Sequence, residues 1–254
     1  MDASTTEKRL HIFLRHVHIR HDARSRDPGK HRPAWFSHEA CFANLLDTLG
    51  KSPLGHKVTL TVIYDGTEAD LADDFMSRYL ATPRKFPIAI RIVEAGSNAR
   101  SWHITMALAR ATPMGEHDLI YFMENDYLHV EGWLEKLAAF DASGVHYDYL
   151  SLYDHNDKYI LDMYAGLQAK LVVAGGHHWR TAPSTCGTFL QPRRVFLEDY
   201  DDWMRDMADY YMFTDLATAK QRVLYTPVPG LNTHCMEGYL SPCVDWEAIA
   251  RAAL

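Results

Sequence analysis

No stretch of this 254-residue chain carries 18 consecutive apolar residues, so nothing in it has the length and hydrophobicity of a membrane-spanning helix. Cysteine is scarce. Cys41, Cys186, Cys235 and Cys243 show none of the close paired spacings of zinc sites or dithiol motifs, which predicts reduced thiols and a cytosolic protein, with peripheral membrane docking left open. Positive charge is also in deficit: a formal net charge of −7 argues against a broad phosphate-binding face, so a nucleic-acid partner is disfavoured. Met1 to Arg9 is polar and charged with no apolar region behind it, which predicts no ordinary secretory signal.

What the chain does have is a core. At 47% hydrophobic it is long enough for one large α/β domain, read as a single unit over 1–254. Leu10 to Val17 reads as a first strand. Ser37 caps a helix that buries Ala40, Phe42, Ala43, Leu45, Leu46 and Leu49 and ends at Gly50. Lys57 to Tyr64, rich in β-branched residues, makes a second strand ending on Asp65-Gly66. Thr67 opens a helix to about Leu80, and Phe86 to Val93 is a third strand. This alternation is the signature of a parallel, Rossmann-like, doubly wound sheet. After Tyr147 the rhythm breaks. Strands at 147–153, 170–174 and 187–191, helices near 194–208 and 214–222, and a strand at 224–227 predict an α+β second half. The halves divide at about residue 140, with 9–140 reading as a nucleotide-binding half and 141–254 as an acceptor-side half.

The chain is organised around Leu119 to Met123, a short unbroken apolar run that predicts a strand buried on both faces. Glu124, Asn125 and Asp126 follow it directly. Acids at the carboxyl end of a central strand sit where open α/β sheets bind ligands, and a Mg²⁺ or Mn²⁺ ion takes one or two such carboxylates. The other reading of an acid-x-acid triplet is a polar turn before the next helix. Gly96, Ser97, Asn98 and Arg100 precede another helix, where small residues let backbone N–H groups approach phosphate and Arg100 adds charge; a plain capped turn reads equally well.

Three further clusters remain open. His16, His18 and His21 stand close together, and the alternation of a strand end accounts for them better than a metal does. Ile19 to Pro33 is a long basic loop containing Asp27-Pro28-Gly29, suited to an anionic ligand or simply solvated. The polar loop 175–180, with His177, His178, Trp179 and Arg180, covers a ligand or forms a hairpin tip.

Taken in order, these positions resemble a GT-A glycosyltransferase, the inverting, nucleotide-sugar-dependent kind, over roughly residues 9 to 240. The resemblance implies that Asp65 meets the base or ribose and that Gly96, Asn98 and Arg100 line the donor loop, although the longer Ala-Arg-Asn-x-Gly form is absent. It aligns Glu124-Asn125-Asp126 with the Asp-x-Asp metal motif, Glu replacing the first Asp, and His234 with a histidine that reaches back to metal or diphosphate. Thr214-Asp215 falls where the family has Glu-Asp at a helix start. Asp215 is thereby the implied base, with Asp209 next and Glu198, Asp199, Asp201 and Asp202 crowding the same region. The implied activity moves a sugar from a UDP-, GDP- or dTDP-linked donor to a hydroxyl acceptor, glycan, lipid-linked or small, with Mn²⁺ or Mg²⁺ bound by Glu124, Asp126 and His234. A non-catalytic nucleotide- or sugar-binding module is the alternative. A sugar nucleotidyltransferase is a third reading, disfavoured because it calls for a Gly-rich, Arg-bearing loop directly after the first strand, where this chain has His16-Val17-His18-Ile19-Arg20.

Overall fold

A computed structural model of the chain describes residues 7–18 and 31–254. The first part runs β1 (Leu10–Val17), α1 (His38–Lys51), β2 (Val58–Asp65), α2 (Glu68–Asp73), α3 (Met76–Leu80), β3 (Ile88–Val93), α4 (Asn98–Ala111), β4 (Leu119–Glu124), β5 (Tyr127–His129) and α5 (Trp133–Asp141). There follow β6 (Tyr149–Leu150), α6 (Asp157–Ile160), β7 (Leu171–Ala174), β8 (His177–Thr181), β9 (Phe189–Pro192), α7 (Arg193–Glu198), α8 (Tyr200–Trp203), α9 (Asp209–Lys220), β10 (Leu224–Val228), β11 (Asn232–His234) and α10 (Trp246–Ala252).

One nine-stranded sheet, in the order β3-β2-β1-β4-β9-β6-β10-β8-β7, runs through the molecule. β3, β2, β1 and β4 are parallel. β9 and β8 oppose the direction of the rest. The expected α/β class, with a mostly parallel Rossmann-like sheet, is therefore what the chain adopts.

The unbroken apolar strands are explained by a layer on each face. On one face Ile12, Leu14, Leu60, Val62 and Tyr121 pack with Leu45 and Leu49 of α1 and Leu137 and Phe140 of α5. On the other, Phe13, Ile63, Ile120 and Phe122 pack with Met106 of α4, Phe196 of α7 and Phe213 of α9. Each such side chain, fully buried, contributes about 1.5–3 kcal/mol. Because adjacent residues of β1 and β4 face opposite layers, both faces need apolar residues and no polar alternation survives.

Five sequence expectations require correction, the first being the helix expected near 194–208, which is two short helices, Arg193–Glu198 and Tyr200–Trp203, parted at Asp199. The helix expected over 67–80 is two helices, broken where Asp74 turns extended (φ −82°, ψ 148°) and accepts the Met76 amide on Oδ1 at 3.0 Å. The strand expected over 147–153 pairs regularly only at Tyr149 and Leu150, beyond which the chain leaves the sheet and Tyr153 bridges Asn232. The polar segment His177–Arg180 is strand, not loop. Gly175 and Gly176, with φ of +59° and +69°, form the two-residue hairpin tip that positive φ at both positions allows. The helix expected near 214 begins at Asp209, so Asp215 lies inside it.

Candidate functional site

The connection from β1 to β2 crosses one face through α1, and that from β3 to β4 crosses the other through α4. The two diverge at the carboxyl ends of β1 and β4, the switch point at which open α/β sheets leave a crevice. Side-chain alternation then divides the residues there. Arg15 and Glu124, partners in the β1–β4 register, point to the α4 face. His16 and Asn125 point to the α1 face.

The α4-side cleft has a volume of ≈ 140 Å³, and its lining includes Arg15, Asn98, Trp102, Glu124, Gly187 and Asp209. Arg15 is its fixed point. Nη2 donates to Glu124 Oε1 at 2.8 Å and Nη1 to Asn98 Oδ1 at 2.7 Å. The guanidinium lies 5.3 Å from the Trp102 ring centre, and the side chain is only 10% exposed. Trp102 is held in turn by its indole N–H donating to Trp203 O at 3.0 Å. The Glu124 amide donates to Thr188 Oγ1 at 3.0 Å. Gly187 keeps the floor low: a Cβ there would lie 3.7 Å from Arg15 Nη2. Asn98 and Ala99 stand in the first turn of α4, whose N-cap Ser97 takes the Arg100 amide at 3.2 Å. Asp209, first residue of α9, also lines the cleft.

On the α1 face a cavity of ≈ 820 Å³ is lined by His16, His18, His38, Asp74, Phe36 and Phe75 among others. Its polar groups are knotted together. His16 Nε2 and His18 Nδ1 both lie 3.3 Å from Asp74 Oδ2, and Tyr64 Oη donates to the same oxygen at 3.0 Å. Burial alone would raise the Asp74 pKa, but the hydrogen bonds from His16, the Met76 amide and Tyr64 outweigh it and hold the carboxyl well below its usual 3.8. Burial lowers the pKa of His38, whose Nδ1 lies 3.1 Å from Asn125 O.

A third cluster is buried behind the turn after β4. Asp126 Oδ2 accepts from Arg32 Nη2 at 2.6 Å and lies 3.0 Å from His234 Nε2. Arg32 Nη1 donates to Cys235 O at 2.8 Å, and its guanidinium stacks 4.7 Å from the Phe36 ring centre. Nearby, the free thiols Cys41 and Cys235 sit 3.8 Å apart.

The residues singled out by sequence are thus distributed as follows. Asn98 and Glu124 meet in the cleft. Asp65 closes β2 and accepts the Ala95 amide on Oδ1 at 2.9 Å, bracing the turn that leads to Gly96, which takes a φ of +72°. Arg100 is exposed on α4. Asn125 faces away from the cleft, with Nδ2 2.9 Å from His16 Nδ1. Asp126 and His234 lie together, Oδ2 3.0 Å from Nε2. Asp215 is exposed on α9 and pairs at 3.2 Å with Arg205, which lines the cleft, while Asp215 itself does not. Asp199 is a buried structural anchor for Lys220, Arg222 and Tyr149. His21 and most of the basic loop Ile19 to Pro33 lie outside the described residues, as does Met1 to Thr6.

The expected metal trio does not assemble. Glu124 is held on the α4 side by Arg15, while Asp126 and His234 are held elsewhere by Arg32. Among the described residues no three His, Cys, Asp or Glu side chains converge as metal ligands. A guanidinium hydrogen-bonds one carboxylate oxygen of each acid, Arg15 on Glu124 and Arg32 on Asp126, and the two acids lie on different sides of the turn, so these residues as arranged do not fit a shared divalent ion.

Sequence reasoning missed Arg15, Arg32 and Trp102. Arg15 carried a signal, since it is the one cation inside the apolar strand Leu-His-Ile-Phe-Leu-Arg-His-Val. Nothing in the sequence paired Arg32 with Asp126, 94 residues away.

No protein-family model and no curated protein matches the sequence. Among solved structures, the chain is similar to S. aureus TarS 1-349, with 11% identity and a TM-score of 0.47 over 86% of this chain. The same fragment in complex with UDP gives 14% identity and 0.47. This chain spans 57% of the length of that fragment. It is also similar to the inositol-1-phosphate CTP transferase from T. maritima, with 13% identity and a TM-score of 0.42 over 97% of this chain and 96% of the other. What this chain does is argued from its own residues. Among the described residues no helix is long and apolar enough to cross a membrane.

Proposed function

We propose that the protein is a glycosyltransferase that moves a sugar from a nucleoside-diphosphate sugar to a hydroxyl acceptor, and that the reaction takes place in the cleft bearing Arg15 and Asp209. The observation that carries this reading is the convergence, at the β1/β4 switch point, of a nearly buried guanidinium, the first turn of a 14-residue helix and the carboxylate of Asp209.

The chemistry follows from that arrangement. Breaking the bond between the anomeric carbon and the diphosphate leaves negative charge on the leaving oxygen. Arg15 and the backbone N–H groups at the start of α4 face that charge and are already oriented, so little reorganisation accompanies its development. The acceptor hydroxyl forms the new bond to the anomeric carbon and loses its proton as it attacks. We assign the acceptance of that proton to Asp209, one of the carboxylate residues lining the cleft. One displacement of this kind inverts the anomeric centre. Glu124 and Asn98 act on Arg15: they fix the guanidinium plane so that its remaining donors meet the diphosphate. Asp65 and Gly96 shape the neighbouring turn on the nucleoside side.

The test is calorimetric titration with UDP, GDP, CDP and dTDP, paired with a transfer assay on the corresponding sugar donors. Binding of one nucleotide together with turnover of its sugar donor supports the reading. Binding without turnover by any donor points to a non-catalytic module, and no binding of any of the four removes the proposal.

A further inference from the structure

We infer that the positive charge opposite the leaving diphosphate is the guanidinium of Arg15, and that the Glu124, Asp126 and His234 positions hold no divalent cation. The identity of the anion rests on the glycosyltransferase reading; the statement about the cation does not. Mg²⁺ and Mn²⁺ bind through carboxylate oxygens left accessible on one side of the ion, in near-octahedral geometry for Mg²⁺. Here the two acids do not share a side. Glu124 Oε1 is taken by Arg15 in the α4-side cleft. Asp126, 2% exposed, shares Oδ2 between Arg32 and His234.

One ring nitrogen of His234 is also engaged. Its Nε2 lies 3.0 Å from Asp126 Oδ2 and 3.4 Å from Arg32 Nη1. A dication entering there would displace the Arg32 guanidinium or sit beside it. Arg32 is anchored independently, by the Cys235 carbonyl and the Phe36 ring.

Arg15 has the opposite disposition. Two of its five N–H donors are spent on Glu124 and Asn98, and the group lines the cleft. A planar guanidinium fixed on two sides presents its remaining N–H groups in the fork that suits phosphate oxygens. Glu124, in the position of a metal acid, is then a positioning residue for the cation that replaces the metal.

The experiment has two arms. In the first, Mn²⁺ is titrated into wild-type protein without nucleotide and followed by the electron paramagnetic resonance of the free ion. The expected result is no stoichiometric uptake; uptake of one equivalent that Asp126→Asn or Glu124→Gln abolishes overturns the inference. In the second, the Kd of the nucleotide that binds is measured in EDTA and in Mn²⁺, for wild type and Arg15→Gln. The expected result is the same Kd in both media, with Arg15→Gln weakening it roughly 10- to 100-fold, the range for hydrogen bonds to a charged group. Binding that requires the ion, or that ignores Arg15→Gln, overturns it. If no nucleotide binds in either medium, the glycosyltransferase reading fails, and the Mn²⁺ titration still decides whether the acids hold an ion.

Discussion

Arg15 and His16 are neighbours on β1, as are Glu124 and Asn125 at the end of β4, yet each pair serves two different environments. On the α1 face the polar groups satisfy one another. His16, His18 and Tyr64 converge on one carboxylate oxygen of Asp74, and Asn125 reaches His16. On the α4 face Arg15 is braced by Glu124 and Asn98, and all three line a cleft whose lining also includes Asp209. The cavity on the α1 face is the larger, ≈ 820 against ≈ 140 Å³. Volume therefore does not identify the site. A closed polar network stabilises a fold, whereas catalysis needs fixed groups whose remaining capacity points at a reactant.

The largest expected effect sharpens this contrast on the α4 face. Asp209→Asn removes a proton acceptor while keeping size and hydrogen-bonding shape. Transfer should fall by about 10²–10⁴-fold, the usual contribution of a general base, while nucleotide affinity measured by calorimetry stays at the wild-type value. Loss of affinity in step with turnover would place Asp209 in nucleotide binding instead and leave the base unassigned.

The α1 face should dominate the response to acid. His129, beside Trp133 and within hydrogen-bonding distance of Tyr121 Oη (2.9 Å), has its pKa lowered from 6.5 to about 3 by burial. The folded protein therefore holds it neutral while the unfolded chain protonates it below 6.5. Its contribution to stability is complete above pH 6.5 and is lost as pH falls towards about 3. One such proton gives a slope of about 1.4 kcal/mol per pH unit in that window. Burial lowers His11, His38 and His155 as well, so the wild-type slope should exceed one proton. His129→Gln should reduce it by about one. Asp74, with its depressed pKa, adds a loss only below its ordinary 3.8. Urea unfolding midpoints across the acid range test this, and an unchanged slope in His129→Gln would remove His129 from the account.

How much of this was legible before the structure differs between the two halves. β1, β2, β3 and β4 fall within a residue or two of where apolar runs put them, because strands buried on both faces leave an unambiguous pattern. The acids after β4 were legible as a rim feature for the same reason. Their separation was not: it depends on the turn at Asn125 and Asp126 and on Arg32, whose pairing over 94 residues has no local signature. In the second half β6 is two residues long and held by neighbours on both sides, so its length is set by tertiary pairing. The start of α9 lies five residues earlier than Thr214, where the sequence placed it. In the structure the Thr214 hydroxyl donates back to the Tyr210 carbonyl at 2.8 Å within a helix already formed.

That misplaced start leads to the smallest effect, at Asp215. By order along the chain it was the leading base, but it projects from the exposed side of α9 and its pairing with Arg205 is at the surface, with side chains 50% and 41% exposed. Exposed pairs of this kind contribute about 0–1 kcal/mol. Asp215→Asn should therefore change the unfolding midpoint little and leave transfer at the wild-type rate, against the large loss in Asp209→Asn. Both variants remove one negative charge from the same helix six residues apart, so the pair controls for charge, and only the position relative to the cleft differs. Comparable losses in the two would show that the charge of α9 matters and not the carboxylate in the cleft lining. A loss confined to Asp215→Asn would restore the order-based assignment and move the acceptor towards the Arg205 end of the cleft.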